Sequence, residues 1–170
     1  ASLIENNGIE KTKKWIRGLV SNFSRSPQGN DRAQILSVAS GESELAVANT
    51  YYYALMLSGK KGKEQKLAAE KVKPVFPNQT NRGVHMNISG AGILKHSPNK
   101  ANAIKFLEFL VTPEAQSHIV NNTFEYPIIQ NVVPHPLIAK MGEFKQDLIT
   151  PVSSYGKWQK EAFKIMKESG

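Results

Sequence analysis

Residues 51–53 are three consecutive tyrosines, in the stretch GESELAVANTYYYALMLSG that runs from Gly41 to Gly59. Only five tyrosines occur in the 170-residue chain, so three of them fall at one point. A free phenol titrates near pH 10, which makes such a cluster a poor general base at neutral pH. Two other chemistries suit it. Aromatic side chains at the end of a strand usually bury their rings and hydrogen-bond their hydroxyls. A trivalent cation offers the alternative, because its charge stabilises the deprotonated ligand and displaces the phenol's proton. Phenolate is a hard, anionic oxygen donor and suits hard cations, of which ferric iron is the biologically abundant trivalent one. Neighbouring residues on a helix point ~100° apart, but a strand-to-helix corner can bring adjacent hydroxyls to one ion. Packing and ligation both stay open on the residues alone.

The remaining reactive side chains form no catalytic set. His85, His96, His118 and His135 show neither H-x-x-x-H nor H-E-x-x-H spacing, so a zinc site has no support. There is no G-x-S-x-G elbow, P-loop or paired-carboxylate motif. Gly90-Ala91-Gly92 is no dinucleotide fingerprint, because no helix follows it directly. The chain therefore reads as a binding protein rather than an enzyme. It contains no cysteine, which removes disulfides, thiolate metal sites and Cys nucleophiles, and which suits an oxidising compartment such as a periplasm.

Twenty-two Lys and Arg against fourteen Asp and Glu give a net charge of +8, compatible with an anionic ligand, an anionic surface or nucleic acid. The densest basic run holds Lys60, Lys61, Lys63, Lys66, Lys71 and Lys73 with Glu64 and Glu70 among them, the pattern of a solvated helix. It lacks the interleaved aromatics or arginines of a nucleic-acid groove, so no nucleic-acid partner is expected. A hydrophobic content of 40% and a charged content of 21% are those of a globular chain. No apolar run approaches the ~20 residues that span a bilayer, and residues 1–15 do not have the pattern of a signal peptide.

The elements that must carry the tyrosines follow from periodicity and punctuation. Ile9, Trp15, Ile16, Leu19 and Val20 mark one face of a first long helix. Asp31 is placed to cap a helix through Ser40, with Ile35, Leu36 and Ala39 inward and Gly41 as its stop. Leu45 to Ala48 is a short unbroken apolar run, as expected of a strand buried on both faces of a parallel sheet. Asn49 or Thr50 then caps a helix from about Tyr51 to Ser58, stopped by Gly59. The lysine-rich helix follows, and VKPVFP reads as another strand. This order implies an α/β unit, whose ligands sit beyond the carboxyl ends of its strands. Tyr51 falls there. Further on, RGVHMNISGAGILKHS reads as two short strands, and a helix capped by Asn99 turns Ile104, Leu107, Leu110 and Val111 inward. Thr112-Pro113-Glu114 starts another helix, and a last one from about Val152 to Glu168 buries Trp158, Phe163 and Met166.

GESELAVANTYYY, with QTNRGVHMNISGAGI, NAIKFLEFLVTPEAQ and EYPI downstream in that order, resembles the ferric-iron-binding periplasmic proteins of bacterial ABC importers. The resemblance runs from about Asn7 to Lys167. It implies the type II periplasmic-binding-protein fold, two α/β lobes joined by crossover strands that close on Fe3+. It also implies Tyr51 and Tyr52 as tyrosinate ligands, Tyr53 as a packing or supporting residue, and Asn49 as a helper that in some members holds a synergistic anion such as carbonate. Members of the family are roughly twice this length. The resemblance therefore makes this chain a C-terminal half whose N-terminal half supplies the remaining ligands, a monomer when complete, with an ABC permease as partner. By the same resemblance, residues 1–80 belong to the second lobe, 81–131 return to the first, and 132–170 close the second. Two other functions remain: a binding protein of the same fold that uses the tyrosines as a stacking box for an organic ligand, and, more distantly, a basic nucleic-acid-binding module.

Overall fold

The structure is a computed structural model that describes residues 1–170, and every regular element in it is a helix. In chain order they are α1 (Ser2–Asn7), α2 (Ile9–Ser21), α3 (Asp31–Ala39), α4 (Thr50–Leu57), α5 (Lys63–Ala69), α6 (Lys100–Leu110), α7 (Pro113–Thr123), α8 (Pro136–Ala139) and α9 (Ser153–Ser169). Chain contacts divide these into two compact units: residues 1–27, 76–86 and 144–170 form one, and residues 28–75 and 87–143 the other. The lobes expected from the sequence are parts of a complete two-lobe fold, whereas these units follow from contacts within this chain.

The first unit packs α1 and α2 against α9. Ile4 and Ile165 are buried, and the Trp158 indole donates a hydrogen bond to the Glu5 carboxylate. The unit's other anchor is Asp147, whose side chain is fully buried. Its carboxylate accepts from the Thr150 hydroxyl at 2.6 Å and from the Ile149 and Thr150 N–H groups at 3.1 and 3.0 Å, and it pairs with Arg82 at 3.6 Å. Val84 makes the one β-bridge, parallel to Gln146: its N–H donates to Lys145 O and its carbonyl accepts from Asp147 N–H, both at 2.9 Å. Gly83 permits that approach, since a Cβ there would stand 2.6 Å from the Gln146 carbonyl, at a φ of +95° that also favours glycine.

In the second unit α4 packs against α3, α5 and α8. Two apolar clusters result. Ile35, Met56 and Ala69 form one, and Ala54, Phe124 and Ile138 the other. Ala54 and Met56 lie two residues apart, about 200° around the helix, so α4 is buried on opposite sides. Its all-apolar composition after Thr50 follows from that position. Gly41 and Gly59 end α3 and α4 with φ of 80° and 77°, the left-handed conformation that stops a helix.

The expected strands are not strands here. Leu45–Ala48 forms no regular element, with Leu45 and Val47 85% and 86% exposed. VKPVFP also forms no ladder, and RGVHMNISGAGILKHS pairs only through Val84. A strand exists by its ladder partner, and the first two segments form no ladder here. The helices are placed as expected, with differences at their faces. Asn30, not Asp31, caps α3, its Oδ1 accepting from Arg32 N–H at 3.1 Å. Leu36 is exposed on α3, as are Trp15 and Leu19 on α2, Ile104 beside α6's C-terminal Val111, and Phe163 and Met166 on α9. Ile165 and Ser154 take the buried side of α9 instead. These apolar positions find no cover within their own units.

Candidate metal centre

The corner before α4 is built by Asn49, whose extended backbone (φ −76°, ψ 142°) feeds directly into the helix. The Tyr52 N–H donates to Asn49 O at 3.2 Å and closes the first turn. The Tyr51 and Tyr52 rings then lie with centroids 4.4 Å apart and planes tilted by 40°. Each phenol has one apolar flank. Tyr51 packs against the cluster of Ala54, Phe124 and Ile138, together with Tyr126. Tyr52 and Tyr53 pack against Ile35, Met56 and Ala69. Tyr53 is drawn away from its neighbours, because its hydroxyl donates to Val72 O at 3.0 Å. The structure thus pairs the two residues expected to ligate and gives Tyr53 a packing partner of its own.

Electrostatics distinguishes Tyr51 further. Burial, a hydrogen bond shared with Tyr52, and the negative charges of Tyr52, Asp31 and Glu125 push its phenol up to about 12. Without a metal it is therefore a neutral phenol at any physiological pH. The same two carboxylates that hold the proton would favour a cation in its place.

Three polar residues that sequence reasoning did not place at the site surround the corner. Asp31, first residue of α3, accepts two hydrogen bonds through Oδ1, from the Asn49 N–H at 2.7 Å and from Asn49 Nδ2 at 2.8 Å. Asn87 Nδ2 donates to Asn49 Oδ1 at 3.0 Å. Glu125 accepts from the Ser89 hydroxyl at 3.1 Å and from the Thr123 hydroxyl at 3.2 Å. Asp31 read as a helix cap, and nothing in the spacing of 31, 49 and 87 signals contact. The only pointer was the density of Asn, Ser and Glu in the two segments, which is also what a loop shows.

Two of the histidines have aromatic partners of their own. His135 caps α8, its Nδ1 accepting from Leu137 N–H at 3.1 Å, and meets Phe124 edge-on at 4.7 Å. His85 lies 5.1 Å from Tyr155 in the first unit. No group of three His, Cys, Asp or Glu is gathered to hold a metal. Chemically the corner offers two hard oxygen donors, backed by acidic and amide groups. The 4.4 Å ring spacing leaves no gap between the tyrosines for a planar ligand, which needs about 7 Å between sandwiching faces.

The chain is similar to several known proteins. The model of the family Bacterial extracellular solute-binding protein matches residues 5–117. Iron uptake protein A1 from Synechocystis is 46% identical over 170 residues, covering 100% of this chain and 47% of that protein. A Trichodesmium protein named IdiA (FutA), determined in complex with iron and citrate ligands, superposes with a TM-score of 0.93 at 45% identity, over 99% of this chain and 53% of that one. A ferric binding protein from Campylobacter jejuni also reaches 0.93, at 38% identity and the same coverage. The chain spans about half the length of the curated relatives it matches. Its fold class is accordingly α/β, that of the type II solute-binding proteins. The chain belongs to the bacterial extracellular solute-binding protein family.

Proposed function

We propose that this chain contributes the tyrosinates of Tyr51 and Tyr52 to a ferric-iron site, as part of a periplasmic protein that delivers iron to an ABC-type importer. One observation carries the reading: the two phenols are paired at a half-buried corner beside Asp31 and Glu125, in a chain 46% identical to an iron uptake protein. On binding, the ion displaces the phenol protons and takes the two oxygens, while the neighbouring carboxylates offset part of its charge. Two donors leave a hard trivalent ion short of the about six it needs. The others come from the complementary half of the fold and from an anion such as carbonate, or the citrate present in the Trichodesmium complex. Iron leaves for the importer by the reverse exchange, protons returning to the phenols. The protein is a carrier and not an enzyme.

Ferric citrate titrated into residues 1–170, alone and combined with the complementary half, tests this. Phenolate-to-iron charge transfer should give a visible band, weak with the half chain and strong with both. A colourless complex would remove tyrosinate ligation from the account.

A further inference from the structure

An asparagine at a helix N-cap ordinarily turns its side-chain oxygen back onto the second or third N–H of its own helix, worth about 1 kcal/mol. Asn49 occupies that position in α4 and does not do so. Its side chain is spent outward instead: Nδ2 donates to Asp31 Oδ1 at 2.8 Å, and Oδ1 accepts from Asn87 Nδ2 at 3.0 Å. Asp31 Oδ1 also takes the Asn49 backbone N–H at 2.7 Å. Both bonds to Asp31 are short and charge-assisted, so they hold the residue firmly. Asp31 sits in turn at the first position of α3, a helix start already capped by Asn30, so its carboxylate is not needed as the cap.

The result is a tether at one atom. The residue immediately before Thr50-Tyr51-Tyr52 is fixed in position through its backbone N–H and in rotation through its amide. A helix that begins from a fixed residue presents its first side chains in fixed directions, and the two rings here are the first aromatic ones. A shift at Asn49 would carry the start of α4, and both phenol oxygens with it, away from the position from which they face an ion.

We propose that Asp31 is a positioning residue for the tyrosine pair, holding Asn49 so that Tyr51 and Tyr52 present their oxygens to one ion. This rests on the ligand assignment above, which names those two tyrosines and gives Asp31 only a share of the surrounding charge. Asp31 itself does not touch the ion in this account. It acts through Asn49, and Asn87 holds the same amide from its other side.

The test uses the chain joined to its complementary half, with ferric citrate as probe and three readouts: the visible band, ferric affinity by citrate competition, and thermal stability without iron. Asp31→Ala should shift the band and weaken affinity about tenfold or more, the size expected for loss of a charge-assisted bond. Asp31→Asn keeps an oxygen that accepts both Asn49 donors and should recover most of both. Asn49→Ser separates positioning from stability, since serine caps a helix well but cannot reach Asp31 and Asn87 together. It should leave the melting temperature unchanged or higher while shifting the band, and this arm decides the matter if Asp31→Ala does not fold. A band and affinity unmoved in Asn49→Ser, and in Asp31→Ala where it folds, would overturn the positioning role and leave tyrosinate ligation standing. A wild-type protein without a visible band would instead overturn the ligation reading, and the role of Asp31 with it.

Discussion

Tyr53 differs from Tyr51 and Tyr52 by one hydrogen bond, and that bond separates its role from theirs. Its hydroxyl is committed to Val72 O, in a place where burial also raises the phenol's titration. Tyr53→Phe should cost about 1 kcal/mol in chemical denaturation, the size of a lost neutral hydrogen bond, and leave the visible band in place. Tyr51 carries a pH prediction. Its phenol is raised to about 12 from an ordinary 10, so the folded state favours the neutral form. That contribution is present in full below pH 10 and is lost as pH rises from 10 towards 12; iron-free protein should weaken in that window, and Tyr51→Phe should weaken less. Each ligating phenol gives up a proton on binding, so ferric affinity should fall as pH drops from 8 to 5. A citrate-competition series across that range, with a flat result, would speak against tyrosinates. The tyrosines themselves were legible in the sequence because three of five stand together. Asp31 was not, since a carboxylate before a helix reads the same whether it caps that helix or reaches across to residue 49.

Helices and strands differed in how far the sequence disclosed them. The Asn49 cap position, the Gly41 and Gly59 stops and the Thr112-Pro113 start are local devices, and the helices fall where those devices put them. The strands depend on partners elsewhere, so Leu45–Ala48 forms no ladder and its Leu45 and Val47 stay exposed. Helix faces suffer similarly: Phe163 and Met166 fit a buried stripe by spacing and lie outward, while Ile165 packs inward. At this scale Asp147 is the sensitive point. Burial opposes its ionisation, but the Thr150 hydroxyl, the Thr150 and Ile149 N–H groups and Arg82 together hold its carboxyl below the ordinary value. A carboxyl depressed in the folded state stabilises above its unfolded value near 3.8 and loses that contribution as pH falls below it. Thermal melts should therefore show the segment joining residues 82–84 to 144–150 weakening in acid below about pH 4. Asp147→Asn should lower the melting temperature at pH 7 and flatten that acid dependence.

For the whole molecule the exposed apolar residues outside the helices set the expectation. Leu45, Val47, Val75 and Leu94 are each about four-fifths exposed, and apolar burial is worth about 25 cal/mol per Å². The complementary half should cover them, so a dye that fluoresces on apolar surface should bind residues 1–170 strongly and the joined halves weakly. Iron is the most direct probe of the complete protein. The decisive measurement is a ferric citrate titration of the joined halves, read by visible absorbance in the wild type and in the three single tyrosine-to-phenylalanine variants. The account predicts a saturable band in the wild type, lost or strongly shifted in Tyr51→Phe and in Tyr52→Phe, and nearly intact in Tyr53→Phe. A band that survives both Tyr51→Phe and Tyr52→Phe, or disappears only with Tyr53→Phe, would contradict it.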